Sequence, residues 1–454
     1  MSVAIVCMVN HTAIKQSSEA NASTLNSSLC PGLSVNESNP TKDGPFEYDK
    51  PQQGHILGGF FYGYLISQIP GGILAEKFGG KKVFLIFSSI STLATILTPI
   101  GAHLGFGYLI ALRVLVGFGS GAAFPTMHAV WGKWAPPLER SKLVSVSYGG
   151  AMMGSVLALP LSGALCEYGY AGGWPSIFYT TGITTIIFLI IWLLFVSDTP
   201  QKHKLITEDE KFYISNSLKG QVSEKSNKGK TPWFEFLKSR AVWAICVANF
   251  TSDWGLYTFL TNIPTFLHEV LKFDIESNGL FSALPWIGLW INMTISPIIA
   301  DKLISTSKLS VQNTRKLMNS IGGIGSAACL VGVAFTDCRS YFLAIALLTL
   351  GVTLSGSHYS GFLVNHMDIA PKYAGTLFGI SNMIGSISGF VAPTLVGIIT
   401  KDQTKAQWMI VFFLSAGVLV FGSVVFIIFG RGDLQKWAEE KEDKKPDIEL
   451  KTML

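Results

Sequence analysis

From about residue 56 to residue 430 the chain alternates between long apolar runs and short polar connections. Eleven runs reach the roughly 20 residues that a helix needs to cross a bilayer. They fall at about 56–76, 82–101, 107–130, 142–165, 174–196, 241–264, 278–300, 315–335, 341–365, 373–398 and 407–430. The runs are continuous, whereas a membrane barrel needs strands of about ten alternating residues, so helices are predicted throughout. They are rich in Gly, Ser and Ala, which let membrane helices pack closely. Pro70, Pro125, Pro160, Pro264, Pro285, Pro297 and Pro393 lie in or near them, and membrane helices accommodate such residues as bends. The pattern predicts an all-α polytopic membrane protein.

Composition narrows this further. The chain of 454 residues is 49% hydrophobic and 14% charged, against about 25% charged for soluble domains. Soluble domains, disorder of the bulk and a nucleic-acid surface are thereby excluded. The net charge of +5 matters less than its placement. If the apolar stub at residues 2–9 ends a first helix, connections on one face carry 26 Lys and Arg and those on the other carry 7. The basic face is predicted to be cytosolic. The opposite face carries Asn10, Asn21, Asn26 and Asn36, each in an Asn-X-Ser/Thr sequon within one polar loop, and these are the predicted glycosylation sites. Of the six Cys, Cys30, Cys166 and Cys338 lie toward that face, where one pair is expected to be oxidised. None has metal-ligand or redox spacing.

The organisation read from these features is a stub of helix 1 with a luminal loop (1–55), five helices (56–197), a cytosolic loop with nine basic residues (198–240), six helices (241–430) and a cytosolic tail (431–454). The halves echo each other. Ala75-Glu76-Lys77 ends the second helix and Ala300-Asp301-Lys302 the eighth; Ala135-Pro136 follows the fourth and Ala370-Pro371 the tenth. Paired halves with a midplane site mark secondary transporters.

Away from the span ends, Arg113 is the one Lys or Arg placed inside a predicted span, about 10 Å from its luminal end. An Arg at such depth costs roughly 3 kcal/mol and faces a cavity or partner. It reads as a cation for a substrate carboxylate or a gate residue, the alternative being snorkelling or structural pairing. His128, roughly 22 Å further along, is a candidate gate or proton-relay group, or else bonds the Pro125 turn. Asp253 lies about 20 Å into its helix and is a candidate for taking up H⁺, ligating Na⁺ or pairing with Arg113. Tyr257 shares its face and is a candidate substrate-binding residue, the alternative being plain packing. Tyr62 and Tyr64 are candidates for hydrogen-bonding substrate hydroxyls. Ser357, His358, Tyr359 and Ser360 form a further polar cluster. No set of residues at one depth forms a catalytic constellation, and no charged ring suggests a channel.

The string Gly72-Ile-Leu-Ala-Glu76-Lys77-Phe-Gly79-Gly-Lys81-Lys82 resembles the loop 2–3 signature of the major facilitator superfamily. Phe60-Phe-Tyr-Gly-Tyr64, Gln68-Ile-Pro-Gly-Gly72, Trp134-Ala-Pro-Pro-Leu-Glu-Arg-Ser141, Asp198-Thr-Pro-Gln-Lys-His-Lys204 and Asn365-His-Met-Asp-Ile-Ala-Pro371 resemble its anion/cation symporter branch. That branch holds sialin, vesicular glutamate transporters and sodium/phosphate cotransporters. The resemblance implies a twelve-helix fold of two pseudo-repeated halves, of which eleven helices are complete here. It implies alternating-access transport of a small organic anion, a sialic acid or acidic sugar first, coupled to H⁺ or alternatively Na⁺. It further implies a gate of Glu76, Lys77, Lys81, Lys82, Asn365 and Asp368, no prosthetic cofactor or bound metal, no enzyme activity, a monomer in the lipid bilayer, and a lysosomal or other acidic vesicle membrane, alternatively the plasma membrane. A sodium-dependent phosphate cotransporter and a shortened, non-transporting form are the competing readings. The sequence departs from the family pattern in three places. Glu76 stands where Asp is usual, Val116 and Ser120 stand where sialin-like proteins carry acids, and the helix-1 Arg of the family falls upstream of Met1.

Overall fold

A computed structural model describes residues 2–9, 44–48, 50–218, 231–269, 275–336, 340–400 and 404–439. The four sequons, Cys30 and Cys338 lie outside these residues. The helices are α1 (Ser2–Met8), α2 (Lys50–Phe78), α3 (Gly80–Leu104), α4 (Phe106–Gly121), α5 (Ala123–Trp134), α6 (Arg140–Tyr168), α7 (Trp174–Phe195), α8 (Glu208–Ser217), α9 (Trp233–Lys238), α10 (Arg240–Glu269), α11 (Ile275–Ser305), α12 (Val311–Ser320), α13 (Ser326–Ala334), α14 (Tyr341–Ser355), α15 (Phe362–Ile369), α16 (Ala374–Ile399) and α17 (Lys405–Phe429). Eight segments, including the joined rods α4–α5, α12–α13 and α14–α15, are long and apolar enough to span a membrane. With α2, α6 and α10, of 29, 29 and 30 residues, they account for the eleven expected spans.

The interruptions in the rods have local causes. Pro125 has no N–H to return to the Gly121 carbonyl, and the rod breaks between α4 and α5 at Ala122. A π turn at Ile321–Gly325 joins α12 to α13, and a 3₁₀ turn at Gly356–Ser360 joins α14 to α15. These turns meet: a Cβ on Gly322 would strike the His358 ring. Gly117 and Gly121 lie against the backbone of Phe60 and Tyr64, where any side chain would collide. This close crossing sets α2 on α4 and fixes the direction of Tyr64.

The stub α1 packs Ala4, Ile5, Met8 and Val9 against Ile56, Leu109, Trp174, Ile177 and Phe178. Gly44 N and Phe46 N donate to the carbonyls of Val9 and Met8, both at 3.0 Å. A disulfide joins Cys7 to Cys166 across 159 residues. This corrects the expected choice among Cys30, Cys166 and Cys338: Cys166 is oxidised, but its partner comes from α1. The stub runs beside α6, which spacing along the chain does not show.

A second correction concerns charge. Arg140 opens α6 and Arg315 lies in α12, and each residue is 1% exposed. Arg113 is therefore not alone in being drawn into the helical body.

Candidate functional site

Mid-helix, the two halves meet across polar side chains. Asn382 Nδ2 of α16 donates to Gln68 Oε1 of α2 at 2.8 Å and to the Tyr64 hydroxyl at 3.3 Å. Gln68 Nε2 donates to Ser386 Oγ at 3.2 Å. One turn along, the Asp253 carboxylate of α10 packs on Gly385 beside Asn249. The field of that carboxylate reaches Tyr64, Tyr148, Tyr257 and Tyr359, two tyrosines from each half. Among the described residues no cation pairs with Asp253. The neighbouring Asn249 Nδ2 is buried and has no hydrogen-bond partner among the described residues. Among the described residues, a carboxylate without a cation and an unfilled amide donor thus lie together at Gly385, with four tyrosines within reach of the carboxylate's field.

Arg113 lies apart from this cluster. Its Nε donates to the Ile56 carbonyl at 3.2 Å, and its guanidinium sits 5.5 Å from the centroid of the Phe60 ring. It makes no ion pair among the described residues, so the expected option of an Arg113–Asp253 pair is not taken. Among the described residues neither Nη group has a hydrogen-bond partner. His128 does not bond the Pro125 turn. Its Nε2 meets the Tyr148 hydroxyl at 3.1 Å, its ring stacks on Phe378 at 4.1 Å, and His366 lies 5.5 Å away. The Tyr148 ring, 5.1 Å from Tyr359, links His128 to the Asp253 cluster. Tyr62 is 57% exposed and does not join that cluster. Ser120 hydrogen-bonds Ser91 of α3 at 3.0 Å and so turns from the interface between the halves.

At the basic face the halves are clasped twice in the same way. Glu76, at the end of α2, accepts from Thr376 N and Thr376 Oγ1, both at 2.6 Å. Asp301, at the end of α11, accepts from Lys142 N at 3.0 Å and from the Ser141 hydroxyl. Thr376 and Lys142 are each the third residue of their helix, α16 and α6. Each repeated acid therefore satisfies orphan donors at a helix N-terminus of the other half, where the dipole favours an anion. Between the clasps, Asp368 accepts from Arg140 Nη1 at 3.2 Å and from Arg315 Nε at 2.7 Å. Arg315 also reaches Ser141 Oγ at 2.6 Å, and Asn365 Nδ2 holds the Arg431 carbonyl at 2.7 Å. Gly72 packs on Gly375 backbone, and Gly132 on Pro371.

Of the expected gate, Glu76, Asn365 and Asp368 lie in this clasp. Lys77, Lys81 and Lys82 make no ion pair among the described residues. Lys77 lies 5.5 Å from the Phe78 ring, and it is the Lys81 backbone amide that donates to Asp198, at 2.8 Å. Residues that sequence reasoning passed over are Arg140, Arg315, Asp301, Tyr148 and His366. The repeated Ala-Asp301-Lys string was the available signal for Asp301.

Replacing Glu76 tests the first clasp. Loss of a side-chain cap costs about 1 kcal/mol. Glu76→Ala is expected to lower the melting temperature of the purified protein by a few degrees, and Glu76→Gln, which keeps an acceptor, by less. Identical melting of parent and Ala variant would show that the contact does not hold the closed face.

The sequence profile of the Major Facilitator Superfamily matches residues 22–393. The chain belongs to that superfamily and is a multi-pass membrane transporter rather than an enzyme. Its relatives place it in the sialin-like anion/cation symporter branch. Human sialin is 47% identical over 394 residues, covering 87% of this chain and 78% of its own. Human vesicular glutamate transporter 2 is 38% identical over 445 residues, covering 97% and 72%. Among solved structures the proton:xylose symporter XylE aligns at a TM-score of 0.67 with 16% identity, covering 84% of this chain and 87% of its own, which supports the fold.

Proposed function

We propose that this transporter carries small organic anions, acidic sugars of the sialic acid class first, by alternating access and with protons as the coupled ion. One observation carries the reading: Arg113 holds two uncommitted guanidinium nitrogens while a lone carboxylate, Asp253, sits among tyrosines between the halves. The cation suits a substrate carboxylate, the phenols suit hydroxyls, and an acid inside a membrane transporter is the usual device for ion relay. The clasp of Glu76, Asp301, Asp368, Arg140 and Arg315 acts as the gate, closed here on the basic face, so that substrate enters from the opposite side. His128, with Tyr148, serves as relay toward that gate. The similarity to sialin favours a lysosomal or other acidic vesicle membrane. A monomer suffices, because both halves of the site come from one chain.

The test is counterflow in proteoliposomes with a panel of sialic acid, glucuronate, glutamate, urate and inorganic phosphate. The reading requires exchange of a carboxylated sugar, inhibited by its own unlabelled form. Coupling is read in the same vesicles by Asp253→Asn. This variant is expected to retain exchange but lose the stimulation of net uptake by a proton gradient, because exchange needs no return of the empty carrier. A full response to the gradient in the Asn variant removes Asp253 from coupling. Response of the parent to sodium and not to protons replaces the proton reading with that of a sodium-driven phosphate cotransporter.

A further inference from the structure

A concave surface lies away from Arg113 and Asp253, where α10 begins and α17 ends on the basic face. It is a cavity of 580 Å³ lined by Glu235, Lys238, Arg240, Ile428, Phe429 and Arg431, among others. Lys238, Arg240 and Arg431 make no ion pair among the described residues. Three cations against the single carboxylate of Glu235 leave the wall with a charge of +2. Solvated Lys and Arg are ordinary on a basic face, but here all three line one concavity whose walls are packed in place. Phe236 is 2% exposed and packs its ring 5.1 Å from that of Trp437. Trp243 Nε1 donates to the Leu237 carbonyl at 2.9 Å, tying α9 to α10. The Lys238 ammonium rests 4.0 Å from the Phe234 ring centroid.

The surroundings of the cavity decide what kind of anion it takes. Ile428 is 62% exposed, and beside it α9 presents Trp233, Phe234 and Leu237 at 43%, 66% and 65%. A short helix with exposed aromatic and aliphatic side chains, next to the first turn of a spanning helix, lies at the bilayer interface. A soluble anion gains nothing from those side chains, whereas acyl chains do. Basic pockets between membrane helices on the cytosolic side are suited to lipid headgroups bearing several charges. We infer that this cavity binds a phospholipid with a polyanionic headgroup, its phosphates on Lys238, Arg240 and Arg431 and its chains along Ile428 and the exposed face of α9.

The test uses the purified full chain in detergent, with native mass spectrometry reading binding of dioctanoyl phosphatidylinositol bisphosphate. Two basic residues near a membrane surface contribute enough that their loss weakens binding on the order of tenfold or more. Arg240→Gln/Arg431→Gln is expected to show that loss. Lys204→Gln/Lys308→Gln removes the same charge from exposed positions and should bind like the parent. Melting curves of both double variants check that each is folded. Dioctanoyl phosphatidylcholine should bind at least about tenfold more weakly than the bisphosphate to the parent. Equal losses in the two double variants would reduce the effect to diffuse charge and overturn the site. Binding of water-soluble inositol trisphosphate as tight as that of the lipid would make the occupant a soluble anion and overturn the lipid assignment.

Discussion

Arg113→Ala is expected to cut anion uptake on the order of a hundredfold while leaving the protein folded and in the membrane. A charge-assisted hydrogen bond is worth up to about 3 kcal/mol, and at 1.36 kcal/mol per tenfold that is the loss in question. The geometry separates this effect from a structural one. Among the described residues only Nε is bonded, to the Ile56 carbonyl at 3.2 Å, and the ring beneath is Phe60. Alanine therefore removes one hydrogen bond to α2, but both free Nη donors. Arg113→Lys should restore part of the uptake, since it returns the charge without the two-pronged fork. Uptake by proteoliposomes containing equal amounts of folded protein measures all three. Normal uptake by the Ala variant would make Arg113 a packing residue and move the anion elsewhere.

Asp368→Asn should be the most damaging single change to the closed face. The substitution leaves Arg140 and Arg315, each residue 1% exposed, without their shared carboxylate. Breaking a buried ion pair from one side costs about 3–5 kcal/mol, because the remaining charge stays desolvated. Replacing the whole group should be tolerated far better: Arg140→Met/Arg315→Met/Asp368→Leu removes every stranded charge together. The expected result is a large fall in melting temperature and in monodisperse yield for Asp368→Asn, with substantial recovery in the triple variant. Failure of the triple variant to recover, with Asp368→Asn as damaging as expected, would mean that the arginines serve folding through their other bonds, to Met367 O, Ser141 Oγ and Ser360 O.

The spans were legible because a helix in lipid must be apolar along its whole length, a local property that hydropathy reads directly. Asp253 was legible for the opposite reason, as an acid where acids are costly, and Glu76 as part of the loop 2–3 string. The arginines were not. Arg140 follows Pro136-Pro137-Leu138-Glu139 and reads as part of a connection, and its burial arises from contact with Asp368, 228 residues away. Tyr62 and Tyr64 illustrate a different limit. Two residues apart on a helix they point roughly 200° apart, so only one faces the other half. Which one depends on the crossing of α2 with α4 at Gly117 and Gly121, a tertiary fact. Likewise Ser120 stands where relatives carry an acid, but its hydroxyl meets Ser91 of α3, which only the packing reveals.

The paired caps have a consequence for how the face opens. Glu76 and Asp301 close the same face from pseudo-symmetric positions, each holding the helix end of the opposite half. A rigid rocking of one half against the other stretches both contacts in a single movement, so a state with one cap broken and one intact gains little access and still bears the cost of an exposed helix end. If the halves rock as rigid bodies, opening is expected to be concerted, with few half-parted conformers. Two modest contacts that must part together set a sharper threshold than either would alone.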